Sequence, residues 1–301
     1  MKTDTYTQIT NRVIELIETH GANWTKPWKG TGGSSRLPTS IGSGKPYTGV
    51  NTLLLWAEGR SDGRWGTYKA WAEKGAQVRK GEKATHIIFY KSLGIKEKQP
   101  DGSSKDKTVP LLKTFAVFCA DQVDGLPEVA PAAPETAAEA DHRVKAALDF
   151  GFATGADISV VTGSDRAFYS PGQDRIVIPA ITDFFGTETS SAQEAYCSTL
   201  LHELTHWTGH SSRLSRLKSC SFGDADYATE ELVAELGATF LCADLGITAE
   251  PRADHGQYLA CWLKKLKDDK KLILRAASAA SKAVALLHSL QPGAAAELEA
   301  A

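Results

Sequence analysis

The sequence predicts an α+β protein built from two domains. Short β-type runs and amphipathic helical patterns occur in both halves, and a segment rich in Pro and Ala separates them. A length of 301 residues exceeds what one small domain needs and suits two. We expect an N-terminal domain at 1–126, a linker at 127–140, a C-terminal domain at 141–290 and a disordered tail at 291–301.

The N-terminal half begins with an amphipathic helix, predicted at 3–19, whose apolar residues recur on one face. A loop rich in Gly, Ser and Pro follows it. Two further helical stretches are expected at 49–59 and 67–75, and two strands at 84–93 and 111–120. The charged segment between these strands, "GIKEKQPDGSSKDK", is typical of a mobile connection.

The C-terminal half places its strands before most of its helices, which again favours the α+β class. After a first helix at 141–155, we expect short strands at 157–163, 166–170 and 174–179, the last two joined by the turn "SPGQD". Long helical patterns then cover 190–208, 227–245 and the chain from 254 onward.

Composition argues against membrane and secreted classes. The apolar content of 42% and charged content of 23% are ordinary for a globular protein, and no apolar run approaches the roughly 18–20 residues of a membrane span. The first 20 residues lack the apolar core of a signal peptide, and the five cysteines form no CxxC pair. We therefore expect a cytoplasmic protein with reduced thiols and no membrane partner.

The net charge of −2 conceals an asymmetry between the halves. Residues 1–126 hold 19 Lys and Arg against 12 Asp and Glu, whereas the remainder is acidic. Such a contrast indicates that the halves have different partners, with the basic half suited to an anionic one.

The stretch "HELTH" carries the clearest chemistry in the chain. His202 and His206 lie four residues apart on a helical pattern, so both imidazoles can reach one ion, and Glu203 lies beside them. Zinc accepts two neutral imidazoles and leaves a position for water, whose proton Glu203 would take as general base. We expect one divalent metal, with Zn²⁺ as first choice and Mn²⁺ or Co²⁺ also suitable. The competing interpretation is an amphipathic helix with two merely polar histidines.

The third ligand is not settled by this motif. The longer pattern HExxHxxGxxH fails because its last position is Ser212, and His210 falls two residues early. We expect His210 to lie at the surface or to support another group.

A better candidate lies in "DYATEELVAELGATFLCADLG", where Glu231 and Glu235 share one helical face with small side chains. This arrangement resembles the gluzincin peptidases, in which a later helix supplies a glutamate ligand. The resemblance implies that Glu231 is the third ligand and that Glu235 orients His202. The reverse assignment stays open. Glu230 is expected to be exposed.

Tryptophans and cations are interleaved in the basic half, as in "NWTKPWKG" and "RWGTYKAWAEKG". Single-stranded nucleic acid is bound by such combinations, because aromatic faces stack on bases while cations follow the phosphates. The candidates from these stretches and the basic segment after them are Trp65, Tyr68, Lys69, Arg79 and Lys80. The alternative is that the rings form a core, and we expect at least half of the tryptophans to be buried.

The segments "PTSIGSGKPYTGVNTLLLW", "WGTYKAWAEKGAQVRKGEKATHIIFY", "FAVFCADQVDGLP", "HELTHWTGHSSRL" and "YATEELVAELGATFLCADLG" together resemble the ArdC-type antirestriction proteins of conjugative plasmids. The resemblance implies an N-terminal single-stranded-DNA-binding domain and a C-terminal zincin-like metallopeptidase domain. It also implies protection of incoming plasmid DNA from the recipient's restriction system. Within "GKPYTGVN", it adds Lys45, Tyr47 and Asn51 as candidate DNA-binding residues.

Three accounts of function follow. The first is an antirestriction protein that binds single-stranded DNA and carries an active metallopeptidase centre, directed at a protein substrate linked to restriction. The second is a binding protein that acts by DNA occupancy alone, with a structural or regulatory metal domain. The third, a nuclease using the same metal, is disfavoured because two histidines and one acid differ from the carboxylate-rich two-metal sites common in nucleases.

Overall fold

The computed structural model describes seven stretches of the chain: 5–20, 37–98, 104–127, 135–188, 190–217, 225–247 and 255–294. Helices and sheets with antiparallel strand pairs occur in both halves, so the predicted α+β class is confirmed. Within these stretches, no helix is both long enough and apolar enough to cross a membrane.

The N-terminal half is organised around a four-stranded sheet. Its elements are α1 (Thr5–His20), β1 (Thr39–Ser40), α2 (Val50–Trp56), β2 (Arg64–Gly66), α3 (Tyr68–Glu73), β3 (Gln77–Val78), β4 (Thr85–Lys98), β5 (Ser104–Cys119) and β6 (Val123–Asp124). The sheet order is β1-β2-β5-β4, and β3 pairs with β6 in a separate two-stranded sheet. Helix α2 packs beside β4, where the Asn51 side chain donates to the Ile88 carbonyl and accepts from the Ile88 amide.

The expected mobile connection at 94–107 is largely wrong. Strands β4 and β5 continue as a paired ribbon as far as Lys98 and Ser104, and only 99–103 fall outside the described residues. Antiparallel pairing is made by backbone groups, so charged side chains do not prevent it. Composition was therefore a poor guide to where these strands end.

The C-terminal half combines a small sheet with a helical layer. Its elements are α4 (Ala137–Phe152), β7 (Asp157–Val161), β8 (Phe168–Ser170), β9 (Arg175–Pro179), α5 (Ala192–Thr208), α6 (Ala225–Leu245), α7 (His255–Asp268) and α8 (Leu272–Ser289). The sheet order is β7-β9-β8, with β7 parallel and β8 antiparallel to β9. The helical pattern predicted from 254 onward forms two helices. A turn separates them, in which the Asp269 carboxylate accepts from the Lys271 amide.

The predicted linker and tail are partly structured. Thr136 caps α4 through a capping box with Glu139, so residues 137–140 form a helical turn rather than linker. Gln291 donates from its side chain to the carbonyls of Phe150 and Leu287, so the first part of the predicted tail packs on the domain. Residues 128–134 and 295–301 lie outside the described stretches.

The two halves share a hydrophobic core. One buried cluster joins α1, α2 and β4 of the front half to α6, α7 and α8 of the rear half. Examples on the two sides are Val13 and Trp56 against Phe240 and Ile273, and the Trp56 and Phe240 ring centroids lie 5.9 Å apart. The prediction of two modules joined only by a linker is therefore too simple, because each half completes the core of the other.

Candidate metal centre

Helix α5 presents the histidine pair from a buried position. It begins with a capping box in which Ser191 and Glu194 satisfy each other's backbone amides. Apolar residues of the helix pack into the rear core, while His202 and Glu203 are only 4% and 2% exposed. The helix is therefore held in place before any ligand binds.

Helix α6 lies close against α5 because a glycine faces a threonine at the contact. A Cβ atom placed on Gly237 would lie 2.5 Å from Thr205 Cγ2, which is too near for any other residue without movement. Thr205 itself is buried and donates to the Leu201 carbonyl. This approach brings the glutamates of α6 within reach of the histidines of α5.

Three side chains converge on one point between these helices. His202 Nε2 and His206 Nε2 lie 3.1 Å apart, and the Glu231 carboxylate oxygens lie 3.6 Å from the first and 3.5 Å from the second. The structure thus brings His202, His206 and Glu231 together as the predicted ligand set requires.

This donor set fits a divalent cation. Bonds of about 2.0–2.1 Å in a tetrahedral site separate neighbouring ligand atoms by about 3.3–3.4 Å. The observed separations of 3.1, 3.5 and 3.6 Å bracket that value. Two imidazoles and one carboxylate also suit Zn²⁺ and Mn²⁺, so the chain has a candidate divalent metal site.

Carboxylates support the outer nitrogen of each histidine. Glu235 Oε2 lies 3.4 Å from His202 Nδ1, as expected for the residue that orients His202 rather than for the ligand. On the other side, His206 Nδ1 lies 3.2 Å from Glu230 Oε1. Arg216 then donates to both oxygens of Glu230, at 2.7 and 2.8 Å.

The role of Glu230 corrects the expectation that this residue is exposed. Its side chain is only 12% exposed and lies between His206 and Arg216. Sequence reasoning missed both Glu230 and Arg216, because a glutamate and an arginine on either side of a loop carry no periodic signal.

The pKa shifts at the centre show that its carboxylates favour positive charge on the two imidazoles. Burial lowers the pKa of His206, but hydrogen bonds with Glu230 and Glu231 outweigh it and raise the pKa to about 10. The pKa of His202 is raised as well, since the nearby carboxylates of Glu231 and Glu235, 3.6 and 3.4 Å from its ring nitrogens, outweigh burial. Burial raises the pKa of Glu231, yet its hydrogen bonds to both histidines hold it well below the usual range. Carboxylates that stabilise imidazolium in this way also favour a bound cation.

The loop after α5 braces the centre. Gly209 allows residues 216 and 217 of the loop to fold back against the end of α5, because a Cβ on residue 209 would lie 2.9 Å from both Arg216 Nη2 and Leu217 Cγ. Arg213 lies over the Trp207 ring, 3.8 Å from its centroid, and pairs with Asp174. His210 faces this loop rather than the ligand cluster.

The predicted nucleic-acid residues are more dispersed. Trp65 is 1% exposed and packs among Leu55, Ile87 and Val117, so its ring cannot stack on a base in this structure. Trp56 and Trp71 are also buried, as the core interpretation predicts for at least half of these rings. Trp24 and Trp28 lie outside the described residues.

The remaining candidates divide by exposure. Asn51 is engaged by the backbone of β4, and Tyr47 is half-buried, which raises the pKa of its phenol. The exposed candidates are Lys45, Tyr68, Lys69, Arg79 and Lys80. Of these, Lys69 faces Glu73 at 3.6 Å, and Arg79 pairs with Glu82 and Asp124.

Comparison with known protein families covers both halves. Residues 3–118 match a family described as the N-terminal domain of anti-restriction factor ArdC, and residues 146–279 match one described as a zincin-like metallopeptidase. The uncharacterized protein y4eC of Sinorhizobium fredii is 36% identical over 298 residues, covering 96% of this chain and 93% of that protein. A DNA primase TraC of Escherichia coli is 38% identical over 290 residues, but the chain spans only 19% of its length.

Two solved structures are also similar to this chain. The metal-free antirestriction ArdC protein from the R388 plasmid is 39% identical, with a TM-score of 0.76 and coverage of 96% of this chain and 98% of that one. Its Mn(II)-bound structure gives a TM-score of 0.74 at 38% identity, with the same coverage. The similarity therefore extends through both halves and their arrangement.

Proposed function

The chain belongs to the ArdC family of antirestriction proteins, with an ArdC N-terminal domain followed by a zincin-like metallopeptidase domain. From this premise we propose that it binds single-stranded DNA and hydrolyses peptide bonds at the centre formed by His202, His206 and Glu231. It would act in the cytoplasm on a protein linked to restriction, while plasmid DNA enters the cell. The observation that carries the proposal is the His-His-Glu cluster, with the buried Glu203 next to His202 on α5.

His202, His206 and Glu231 would hold the cation, and their supporting residues would fix its geometry. A divalent cation in this place supplies a Lewis acid that activates water and polarises a carbonyl. Glu235 and Glu230 face the outer ring nitrogens of the two histidines, so each ring keeps its Nε2 directed at the centre. The Mn(II)-bound structure of a relative supports a divalent ion, with Zn²⁺ and Co²⁺ as chemically suitable alternatives.

Glu203 would move the proton. It follows His202 directly on α5 and is 2% exposed, so its carboxylate works in a site with little water. As general base it would accept the proton of the attacking water, and as the resulting acid it would give that proton to the leaving amine. The histidines cannot take this role because their nitrogens are committed to the cation and to the supporting carboxylates.

A peptide would bind along the small sheet. Strand β8 is at the edge of the β7-β9-β8 sheet and contacts α5. Zincin-type peptidases place an extended substrate beside such an edge by β-augmentation, which uses main-chain hydrogen bonds and tolerates varied side chains. This position would bring a peptide bond to the histidine pair.

Glu203→Gln in the full-length protein tests the peptidase proposal. The substitution keeps the size and shape of the side chain but replaces the basic carboxylate by a neutral amide. We expect peptide hydrolysis to fall by at least 100-fold while metal content, measured by elemental analysis, stays at the wild-type level. Loss of metal in this variant would show that Glu203 serves as a ligand, which contradicts the assigned role.

The alternative function is protection by DNA occupancy alone. It is favoured by the match to the DNA primase TraC, in which a segment similar to nearly the whole chain forms part of a much larger protein. Under this alternative, Glu203→Gln would leave antirestriction in a conjugation assay unchanged. Under the first proposal, antirestriction would fall together with hydrolysis.

A further inference from the structure

A groove of about 940 Å³ runs between the two halves of the molecule. One wall is the segment Thr48–Asn51 together with Phe89 of β4, and the other is α8. The front wall thus includes the end of "GKPYTGVN", whereas the rear wall belongs to the metallopeptidase half. The three candidate ligands do not line this groove, but it adjoins the metal centre, because Arg216, which donates to Glu230, lines it as well.

Helix α8 presents a polar and basic stripe to the groove. Lys271, Arg275, Ser278 and Lys282 follow the spacing i, i+4, i+7 and i+11, which places them on one helical face, and all four line the groove. The stripe is about 16 Å long, because a helix rises about 1.5 Å per residue. That length suits several phosphates of an extended strand.

The groove has a net positive charge. Its lining includes four cations and, among the described residues, no acid. Arg216 is offset by Glu230, and Arg275 pairs with Asp269. Within the described stretches, no ion pair involves Lys271 or Lys282, and both are exposed. These two lysines therefore supply most of the attraction for an anion.

Exposed aromatic rings lie at the same edge. Phe89 is 47% exposed and lines the groove, and Phe115 of the neighbouring strand is 43% exposed. Their centroids are 6.3 Å apart with the rings nearly perpendicular, and exposed Lys113 is paired with Phe89 across the strands. Apolar rings that remain in water beside cations are typical of a binding surface for stacked bases.

We propose that this groove binds single-stranded nucleic acid, with phosphates along Lys271 and Lys282 and bases against Phe89 and Phe115. The inference rests on the proposed DNA binding and locates it. The strand would be held by both halves of the chain instead of by the N-terminal domain alone. An acidic peptide is the competing occupant, but the edge strand β8, beside which a peptide would lie, does not line the groove.

The test uses the full-length protein and a fluorescein-labelled oligothymidylate of about 20 nucleotides. Binding affinity is measured by fluorescence anisotropy at a series of salt concentrations. The combined change Lys271→Glu and Lys282→Glu should weaken binding by about 10- to 100-fold. It should also lower the slope of log affinity against log salt by about 1.4, since each lost phosphate contact removes about 0.7. Phe89→Ala should weaken binding by about tenfold, with the slope unchanged.

Matched controls separate local from general effects. Lys145→Glu makes the same charge reversal at a single site on α4, and Phe152→Ala removes an aromatic ring that is 48% exposed, also on α4. Neither residue lines the groove, so both variants should bind as the wild type does. Thermal unfolding of every variant establishes that it is folded.

The outcomes distinguish the inference from the function on which it rests. Absence of oligonucleotide binding by the wild type would overturn both the groove as a binding site and the proposed binding of single-stranded DNA. Wild-type binding that persists in the lysine and Phe89 variants but is lost in Lys80→Glu would overturn the groove and keep the DNA-binding function. Tighter binding of a labelled poly-glutamate peptide than of the oligonucleotide, lost in the same lysine variants, would assign the groove to an acidic protein.

Discussion

The metal centre and the groove both concentrate charge, but they hold it in opposite ways. At the centre, His202 is buried and the side chains of His206 and Glu231 are only 12% and 13% exposed, and each lies within 4 Å of an opposite group. In the groove, Lys271 and Lys282 are exposed and have no ion-pair partner among the described residues. Buried charges are stable only with their partners present, whereas exposed charges are solvated individually and screened by salt.

This difference determines how each region responds to substitution. Removal of one group from the centre leaves another buried without compensation, so effects are large and coupled. Removal of one groove cation changes binding by a modest factor and leaves the fold intact.

The largest effect is expected for Glu231→Ala. This change removes a carboxylate ligand and leaves two histidines that hold a cation weakly, so Mn²⁺ or Zn²⁺ affinity should fall by at least 1,000-fold. Isothermal titration of the metal-depleted protein measures the loss. Glu188→Ala, at an exposed glutamate, should retain wild-type affinity. Retention of tight binding by the Glu231 variant would exclude this residue as a ligand.

The next test concerns the pair of Arg216 and Glu230. Arg216→Met leaves the Glu230 carboxylate buried beside His206, which should cost about 2–4 kcal/mol of unfolding free energy and weaken metal binding about tenfold. Adding Glu230→Gln to that variant should recover part of the stability, because the uncompensated charge is gone. Chemical denaturation of the four proteins in this cycle gives the coupling energy.

A surface ion pair provides the matching reference. Lys145 and Asp149 lie 2.6 Å apart with side chains 72% and 65% exposed. The same cycle there should give at most about 0.5 kcal/mol. Equal coupling energies at the two pairs would contradict the distinction between buried and exposed charge.

A third test separates packing from charge at the centre. Gly237→Ala introduces a methyl group against Thr205, forcing α5 away from α6, and should cost about 1–3 kcal/mol. Metal affinity should fall as well, since the ligands come from both helices. Thr205→Ser in the Gly237→Ala background should restore part of both quantities. Gly172→Ala, where the added methyl meets open space, should be neutral.

The smallest effect is expected at the partly exposed pair of Asp174 and Arg213. Hydrogen bonds from Arg213 lower the pKa of Asp174 to about 2, against about 3.9 in an unfolded chain. Because the folded-state pKa is depressed, this pair stabilises the protein fully above about pH 4, and the contribution is lost as pH falls through about 2. The carboxylate is 37% exposed, so the contribution should be under about 1 kcal/mol.

Asp174→Asn provides the measurement. Asp174 has a φ of 50°, a conformation that Asn also adopts without strain, so the change isolates the charge. The melting temperature should fall slightly at pH 6 and match the wild type near pH 2. A loss of stability that is equal at both pH values would contradict the ionic explanation. Asp165→Asn, at a side chain 93% exposed, is the control.

Much of the metal centre was predictable because its information is local. The spacing of His202, Glu203 and His206 is converted by helical geometry into a shared face, and Glu231 and Glu235 follow the same rule on α6. The α+β class and the ArdC resemblance followed from strand and helix patterns and from extended matching segments. Both are confirmed by the structure and the comparisons.

Other features depended on contacts between residues far apart in the chain. Periodicity could not tell that Trp65 is buried while Phe89 and Phe115 are exposed, because burial is decided by which element packs on each face. Glu230 acquired its role only when the loop after α5 brought Arg216 beside it. The core shared between the two halves was likewise invisible to a division based on composition.

The sequence by itself therefore determined the fold class, the family and the histidine pair, since these depend on patterns within one element or one segment. Tertiary structure alone decided which glutamate faces which nitrogen, which aromatic rings meet water and how the halves join. The physical reason is that hydrophobic burial is non-directional. A sequence therefore shows which residues are apolar enough to be buried more clearly than it shows which elements will pack against them. The groove between the front half and α8 forms only when these elements pack against each other.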